Sequence, residues 1–403
     1  MSPFHLPRLL ILTTVLIEAV AIGIIFPIMP DLMKEVLGTG LADAALWGGV
    51  LISAFALMQF LFGPIVGNLS DAHGRRPVLL ISLVVIVGDY VVMALASSIW
   101  VLLIGRIVGG IAAATLATAS AYMADISSQE ERSANFGLVS AAFGAGFVLG
   151  PIIGGFLGEL GTRAPFWVAA GVGAVNLALA LAFLPESLAA PLRRPFRLVR
   201  ANPFSALATA FRLPALRMLL VVMLIFMMSM TVYAAIWSYF AKARFGWDAG
   251  LIGISLTIYG SALMLVQAVL FRPISRRLGD RGTVLFGLVG NALSFLLLAF
   301  IRNGPATLVL TPVTALGEVA GPALTGIASK ATPMDAQGEL QGVFASLQAV
   351  SMIVSPLALG AIFRAFTNDG TPVYWPGAPF MASALMLVPC VAIFLLSRPP
   401  SSA

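Results

Sequence analysis

The chain has 403 residues, of which 60% are hydrophobic and only 10% charged, and its mean hydropathy is +1.00. A soluble domain carries about 25% charged residues, so this composition excludes a water-soluble globular protein and asks for lipid as the solvent. The net charge of +6 is a membrane-topology signal, as the distribution below argues, and does not indicate nucleic-acid binding.

Only helices and closed barrels satisfy their backbone in lipid, and apolar runs of roughly 20 residues fit helices, where barrel strands would need about 10. Twelve runs are found: 8–28, 46–68, 77–96, 99–122, 134–158, 164–184, 214–240, 248–271, 282–301, 305–328, 338–363 and 377–397. The first is too long for a signal-peptide core and has no small-residue cleavage site after it, so it is retained as helix 1. The expected fold is an all-α membrane protein with 12 transmembrane helices. Its domains would be 1–184, a cytoplasmic linker 185–213, and 214–403. The linker carries Pro185, Pro191, Pro195, Pro203 and a run of arginines, and reads as a passive tether along the anionic leaflet, with gatekeeping or partner docking as the alternative.

Charge sets the orientation. With both termini cytoplasmic, the inner segments hold Arg8, Arg75, Arg76, Arg132, Arg193, Arg194, Arg197, Arg200, Arg212, Arg217, Arg272, Arg276, Arg277, Arg281, Lys330 and Arg398. The outer ones hold Lys34, Arg163, Lys242, Arg244, Arg302 and Arg364. Sixteen against six is a positive-inside bias.

Few charges lie inside the apolar runs. Glu18 is in helix 1, Asp89 in helix 3, Arg106 in helix 4 and Glu318 in helix 10. A charge there costs about 2.5–3.5 kcal/mol on insertion scales, so such residues are normally paired and functional. An unpaired carboxylate at the midplane takes up a proton to avoid that cost, and can exchange it for a substrate. The bland reading of Arg106 is an arginine snorkelling to the surface.

Between helices 2 and 3 stands Gly67-Asn-Leu-Ser-Asp71-Ala-His-Gly74-Arg75-Arg76-Pro77. It reads as a tight charged loop in which Gly67 and Gly74 let the backbone pack closely. Asp71 can meet a helix N-terminus or an arginine, and Arg75 and Arg76 hold the loop inside. Helix 5 contains Gly146-Phe-Val-Leu-Gly150-Pro151-Ile-Ile-Gly154-Gly155. Glycines four apart clear one helix face for a close neighbour, and Pro151 bends the helix.

Helix 7 gathers Met227, Met228, Met230, Tyr233, Trp237 and Tyr239, adaptable side chains suited to varied apolar ligands. For Trp237 and Tyr239 a lipid-facing interfacial belt is the expectation. The uncharged polar residues Gln59, Asn176, Gln267, Asn291 and Gln348 either line a cavity or bond a neighbouring helix. Cys390, the single cysteine, allows no intrachain disulfide and reads as inert packing.

The two halves match at a constant offset of about 205 residues: Asp43 with Asp248, Gly48 with Gly253, Ser70 with Ser275, Gly74 with Gly279, Gly137 with Gly342, Pro151 with Pro356 and Gly155 with Gly360. The second copy of the charged loop is Arg272-Pro-Ile-Ser275-Arg276-Arg277-Leu-Gly279-Asp280-Arg281.

The loop at 67–77 resembles the signature between helices 2 and 3 of the major facilitator superfamily of secondary transporters. With Arg-Arg-Pro-Val-Leu-Leu following, it is most similar to the drug:proton antiporters of the tetracycline efflux type. That resemblance covers nearly the whole chain and is strongest over 18–160. It includes Gly23-Ile-Ile-Phe-Pro27-Ile-Met-Pro30 and Phe245-Gly-Trp247. It implies two parallel six-helix repeats (the major facilitator fold), with a substrate site between them near the midplane. The helix 5 string resembles the motif of the antiporter branches, which implies export. Glu18 and Asp89 stand at the family's helix 1 and helix 3 acids. Arg106 stands at its helix 4 arginine, linked there to proton transfer. The family's helix 9 acid, tied to the metal–tetracycline complex, is Asn291 here, which puts tetracycline itself in question. Glu318 could replace that acid.

No Gly-x-x-x-x-Gly-Lys-Ser/Thr loop for ATP is present, and no nucleophile–base pair or His/Cys ligand cluster stands out. An enzyme is therefore rejected, and no cofactor or metal is implied. The expected function is proton-coupled efflux of small amphipathic compounds, tetracycline-type or multidrug, across a bacterial inner membrane by a monomer. Its partners would be substrate, protons and lipid. Asp89, Arg106, Glu18 and Glu318 would carry proton coupling. Gln59, Met227, Met230, Tyr233, Gln267, Asn291 and Gln348 would line the cavity. The rival readings are a dedicated metabolite transporter and a non-transporting receptor or sensor on the same fold.

Overall fold

The computed structural model describes residues 5–113, 115–196, 202–204 and 216–397. Arg197, Arg200, Arg212, Arg398 and the parts 197–201 and 205–213 of the linker expected at 185–213 lie outside these described residues.

Among the described residues, eleven helices are long and apolar enough to cross a membrane. One of them, Ala249–Phe300, runs for 52 residues and is broken at Gly279, whose φ of 68° and ψ of 173° are not helical. It is therefore two spans, and the described helices make twelve. Helix 1 is His5–Leu37, helix 2 Leu41–His73 and helix 3 Arg75–Leu95. Helix 4 comes in two pieces, Ile99–Ala112 and Thr115–Asp125. Helix 5 is Arg132–Glu159, helix 6 Ala164–Phe183 and helix 7 Arg217–Phe245. Helix 8 starts at Ala249 and passes through a π-helical turn at Val266–Leu270 to the break at Gly279, after which helix 9 runs to Phe300. Helix 10 is Gly304–Thr314 and Ala320–Lys330 joined by a 3₁₀ stretch, Ala315–Val319. Helix 11 is Gln337–Thr367 and helix 12 Ala378–Leu396.

Local chemistry sets the ends. Ser98 accepts the amide of Trp100 at the start of helix 4, and Asn303 accepts that of Ala306 at 2.9 Å with Pro305 in the first turn of helix 10. Helix 7 stops at Gly246, which takes the left-handed conformation (φ 69°) that only glycine adopts freely. Large apolar side chains such as Ile81, Val84, Ile104 and Val309 remain exposed, as lipid-facing surfaces require.

The chain divides into two compact units. The first comprises Met1–Leu37, Ala54–Pro203 and Asp248–Thr257; the second comprises Gly38–Ser53, Phe204–Trp247 and Ile258–Ala403. Each unit thus includes the opening turns of a helix whose remainder belongs to the other.

Two sequence expectations are corrected here. The stretch 67–73 is helical, the last two turns of helix 2, and the connection to helix 3 is Gly74 alone, with φ 107°. Polar residues at a membrane surface satisfy a helix as well as a loop, so loss of hydrophobicity at 68 did not mark a helix end. The expected continuous helix 4 is interrupted at Ala113, whose φ and ψ of −73° and 59° are not helical. Gln59 donates to the carbonyl of Ala113 at 3.2 Å and so satisfies a backbone group exposed by the break.

Candidate functional site

In the first unit, helices 3 and 4 bring the expected charges together. Asp89 and Arg106 form an ion pair, with side chains only 9% and 12% exposed. Two glycines on helix 4 make room for it. A Cβ at Gly105 would meet Asp89 Oδ1 at 3.0 Å, and one at Gly109 would meet Oδ2 at 3.4 Å. The carboxylate therefore sits in a notch cut by two glycines four residues apart. The guanidinium lies over the Phe55 ring, 5.4 Å from its centre, and also reaches Met93 Sδ at 3.1 Å. Arg106 is paired inward, so the snorkelling reading does not apply. Asp89 Oδ1 and Arg106 Nε are buried without a hydrogen-bond partner among the described residues. The pair is thus incompletely satisfied, which suits a group that exchanges partners.

Glu18 lies on helix 1 in the same unit. It borders a small cavity with Ile17, Ala21, Tyr90, Gly173 and Asn176, and its Oε2 is buried without a hydrogen-bond partner among the described residues. Asn176 is engaged on one side, accepting from the Thr14 hydroxyl at 3.1 Å. It ties helix 6 to helix 1, while its amide nitrogen has no partner among the described residues.

The charged connection between helices 2 and 3 forms a network. Arg75 reaches Asp71 at 2.5 Å and Asp125, at the end of helix 4, at 3.2 Å. Arg76 donates to the carbonyl of Leu181 at 2.8 Å. Two acids missed in the sequence complete it. Glu186, just after helix 6, accepts the backbone amides of Arg75 at 2.8 Å and Arg76 at 3.3 Å, so a carboxylate caps the positive N-terminus of helix 3. A side chain at Gly74 would collide with that carboxylate. Ser187 donates to Asp125, and the amide of Arg194 donates to the carbonyl of Asp71 at 3.1 Å. The start of the linker is thus bonded into this corner. Pro185-Glu186-Ser187, an acid directly after a helix-breaking proline, was the available signal. Gly67 faces open space, so the expected close approach there is absent.

The helix 5 glycines serve two faces. Gly146, Gly150 and Gly154 lie against helix 1, where added Cβ atoms would strike the backbone of Leu16, Val20 and Ile24. Gly155 faces the opening of helix 8, where a Cβ would meet the carbonyl of Ala249 at 2.6 Å. Thr257 donates to the carbonyl of Val148 at 3.0 Å in the same seam. Pro151 lies between, its carbonyl against Gly253. In the second unit Pro356 and Gly360, the repeat mates of Pro151 and Gly155, form a similar seam: Gly49 lies against Pro356, and Gly360 against Ala45 and Leu46.

The second unit contains the remaining acid. Glu318 lies in the 3₁₀ stretch of helix 10 and accepts the hydroxyl of Tyr259 at 2.8 Å. The Tyr259 ring stacks on Tyr233 at 4.5 Å. Phe295 and Phe380 are fully buried behind Tyr233. Trp237 and Tyr239 are each only 3% exposed, which corrects the lipid-belt expectation. Trp237 packs edge-on against Phe380, and the Tyr239 hydroxyl lies against Gly48. Met227 and Met230 are half-buried, and Gln267 and Gln348 are exposed, Gln267 within the π-helical turn. Asn291 is fully buried, packed against Gly317, and neither amide atom is bonded among the described residues. It lies between helices 9 and 10 rather than on an accessible wall. Cys390 is buried, 3.3 Å from the carbonyl of Val222.

Twelve membrane-capable helices among the described residues, with an ion pair buried between two of them, fit the architecture of a secondary transporter. The sequence profile of the Major Facilitator Superfamily matches residues 11–239 and 218–403. The chain is 38% identical over 383 residues to the tetracycline resistance protein, class C, of Escherichia coli, covering 95% of each. It is 37% identical to the class G protein of Vibrio anguillarum, again over 95% of each. A crystal structure of a D-xylose–proton symporter superposes with a TM-score of 0.79 over 99% of each chain, at 15% identity, a likeness of fold alone. The chain belongs to the Major Facilitator Superfamily. It is a multi-pass membrane transporter and not an enzyme.

Proposed function

We propose that this chain is a proton-coupled exporter of small amphipathic drugs, tetracycline-type or multidrug, acting in a bacterial inner membrane. The observation that carries the reading is the buried Asp89–Arg106 pair in its glycine notch, in a chain similar over nearly all its length to tetracycline resistance proteins. Protonation of Asp89 would release Arg106, and deprotonation would recapture it. The repacking of helices 3 and 4 would then follow the proton. Glu18, across helix 3 in the same unit, is the second proton-coupling acid. The halves 1–184 and 214–403 would be the repeats that alternate access, with the corner around Asp71, Gly74, Arg75 and Arg76 steadying the first. The chain would act as a monomer with both termini in the cytoplasm, the orientation that its basic residues favour.

The test is proton release from energised inverted vesicles on adding tetracycline, or lipophilic cations in turn, for wild type and Asp89→Asn. Release lost in the variant, at equal amounts of folded protein in the vesicles, supports the reading. Coupled flux undiminished in Asp89→Asn sinks the role of Asp89, and silence toward every compound sinks drug antiport.

A further inference from the structure

The two units treat their buried acids differently. In the first, Asp89 has a resident counter-ion in Arg106. In the second, the position that matches Arg106 at the 205-residue offset is Thr311, whose hydroxyl donates to the carbonyl of Thr307 at 2.7 Å. Glu318 has no basic partner among the described residues; its one hydrogen bond there is from Tyr259, to Oε1. The outward face of helix 10 is marked by Val309 and Val313, 76% and 55% exposed. At about 100° per residue to Thr314 and about 120° through the 3₁₀ stretch, Glu318 turns roughly 100° or more away from both.

What flanks this carboxylate is aromatic. Tyr259 and Tyr233 are stacked 4.5 Å apart with their planes 30° from parallel, and both remain partly accessible, as does Glu318. Phe295 and Phe380 close the site from behind. Aromatic faces carry negative potential and attract cations, most strongly where water is excluded. A carboxylate without a resident cation beside two such faces is complementary to a flat or delocalised positive charge.

We propose that Glu318, Tyr259 and Tyr233 form a recognition site for organic monocations, so that the exported substrate itself supplies the missing counter-ion. The inference rests on the transport reading above and gives its substrate class. A single carboxylate with ring faces suits a quaternary ammonium, phosphonium or protonated aromatic amine. The amide at Asn291 adds no second charge for a divalent chelate, being packed against Gly317.

The experiment is equilibrium binding of tritiated tetraphenylphosphonium to the full-length protein in neutral-lipid nanodiscs. Saturable binding is expected for wild type, weakened about tenfold or more in Glu318→Gln and largely retained in Glu318→Asp. Tyr233→Leu, which removes a ring and no charge, is expected to weaken binding roughly three- to tenfold. Gel filtration and thermal unfolding report folding of each variant, and Tyr233→Leu decides the matter if Glu318→Gln does not fold. Equal affinity in wild type and the informative variant overturns the proposal, as does no saturable binding by wild type. Glu318→Gln that blocks proton release but binds the cation normally makes Glu318 a proton carrier only, and also overturns it. Proton release evoked by tetracycline, without cation binding, removes this inference and leaves the transport reading standing. Cation binding without coupled flux for any compound does the reverse.

Discussion

Arg75 and Asp280 occupy repeat-related positions with opposite charge, and each pairs with the residue fifty places further along. Arg75 meets Asp125 at 3.2 Å, and Asp280 meets Lys330 at 2.6 Å. Both follow a glycine with positive φ, Gly74 or Gly279. The duplicated backbone keeps the geometry while the signs are exchanged. What differs is burial: the Arg75 side chain is 13% exposed and that of Lys330 71%.

Exposure should therefore grade the two pairs. Arg75→Gln is expected to lower stability by about 1–3 kcal/mol, because it leaves Asp71 and Asp125 without their shared cation. Lys330→Gln should change it by less than about 1 kcal/mol. Thermal unfolding in detergent measures both, and a larger loss from Lys330→Gln would show that burial does not set their worth.

Breaking the notch pair from one side leaves a buried charge alone. Asp89→Asn is expected to destabilise the protein by about 3–5 kcal/mol, and adding Arg106→Gln should recover much of that loss without restoring coupled transport. Unfolding midpoints and vesicle flux of the single and double variants separate the two effects. A double variant no more stable than Asp89→Asn would mean that the arginine is not stranded.

The helix 5 seam makes a steric prediction. Gly150→Ala places a methyl against the backbone of Val20 and Gly23, and is expected to destabilise by about 1–3 kcal/mol or more. Gly171→Ala on helix 6 meets nothing within 4 Å and should be neutral or mildly stabilising, by roughly 0.5–1 kcal/mol. Comparable losses at the two sites, read as melting temperatures, would contradict close packing at Gly150.

Glu186 offers a test of the capped corner. Glu186→Ala removes the acceptor of the Arg75 and Arg76 amides and is expected to cost about 0.5–2 kcal/mol, the range of lost helix caps. Faster hydrogen exchange confined to the first turn of helix 3 would mark the effect as local. Unchanged protection there would remove Glu186 from the cap.

The sequence was most legible where chemistry was rarest. Asp89 and Arg106 are charges in apolar runs, and two such charges have little choice but to meet. The glycine strings were legible because repeated absence of a side chain has few causes other than close packing. Glu186 was not legible, because its role depends on the chain returning to the start of helix 3, more than a hundred positions earlier. The inward placement of Trp237 and Tyr239 was equally hidden. A span hydrophobic on all sides does not say which face meets lipid, and the space for Tyr239 is made by Gly48, far away in the chain. The break at Ala113 and the 3₁₀ stretch under Glu318 are backbone events on which hydropathy is silent.

Helices 3 and 4 are joined by only Ala96, Ser97 and Ser98, so Asp89 and Arg106 belong to a single helical hairpin. During biogenesis that hairpin can enter the bilayer as one body, with its acid and base already neutralising each other in the glycine notch. Neither charge then has to partition into hydrocarbon alone, at about 2.5–3.5 kcal/mol each. The residues assigned to coupling are in this way also those that let their own two helices be inserted.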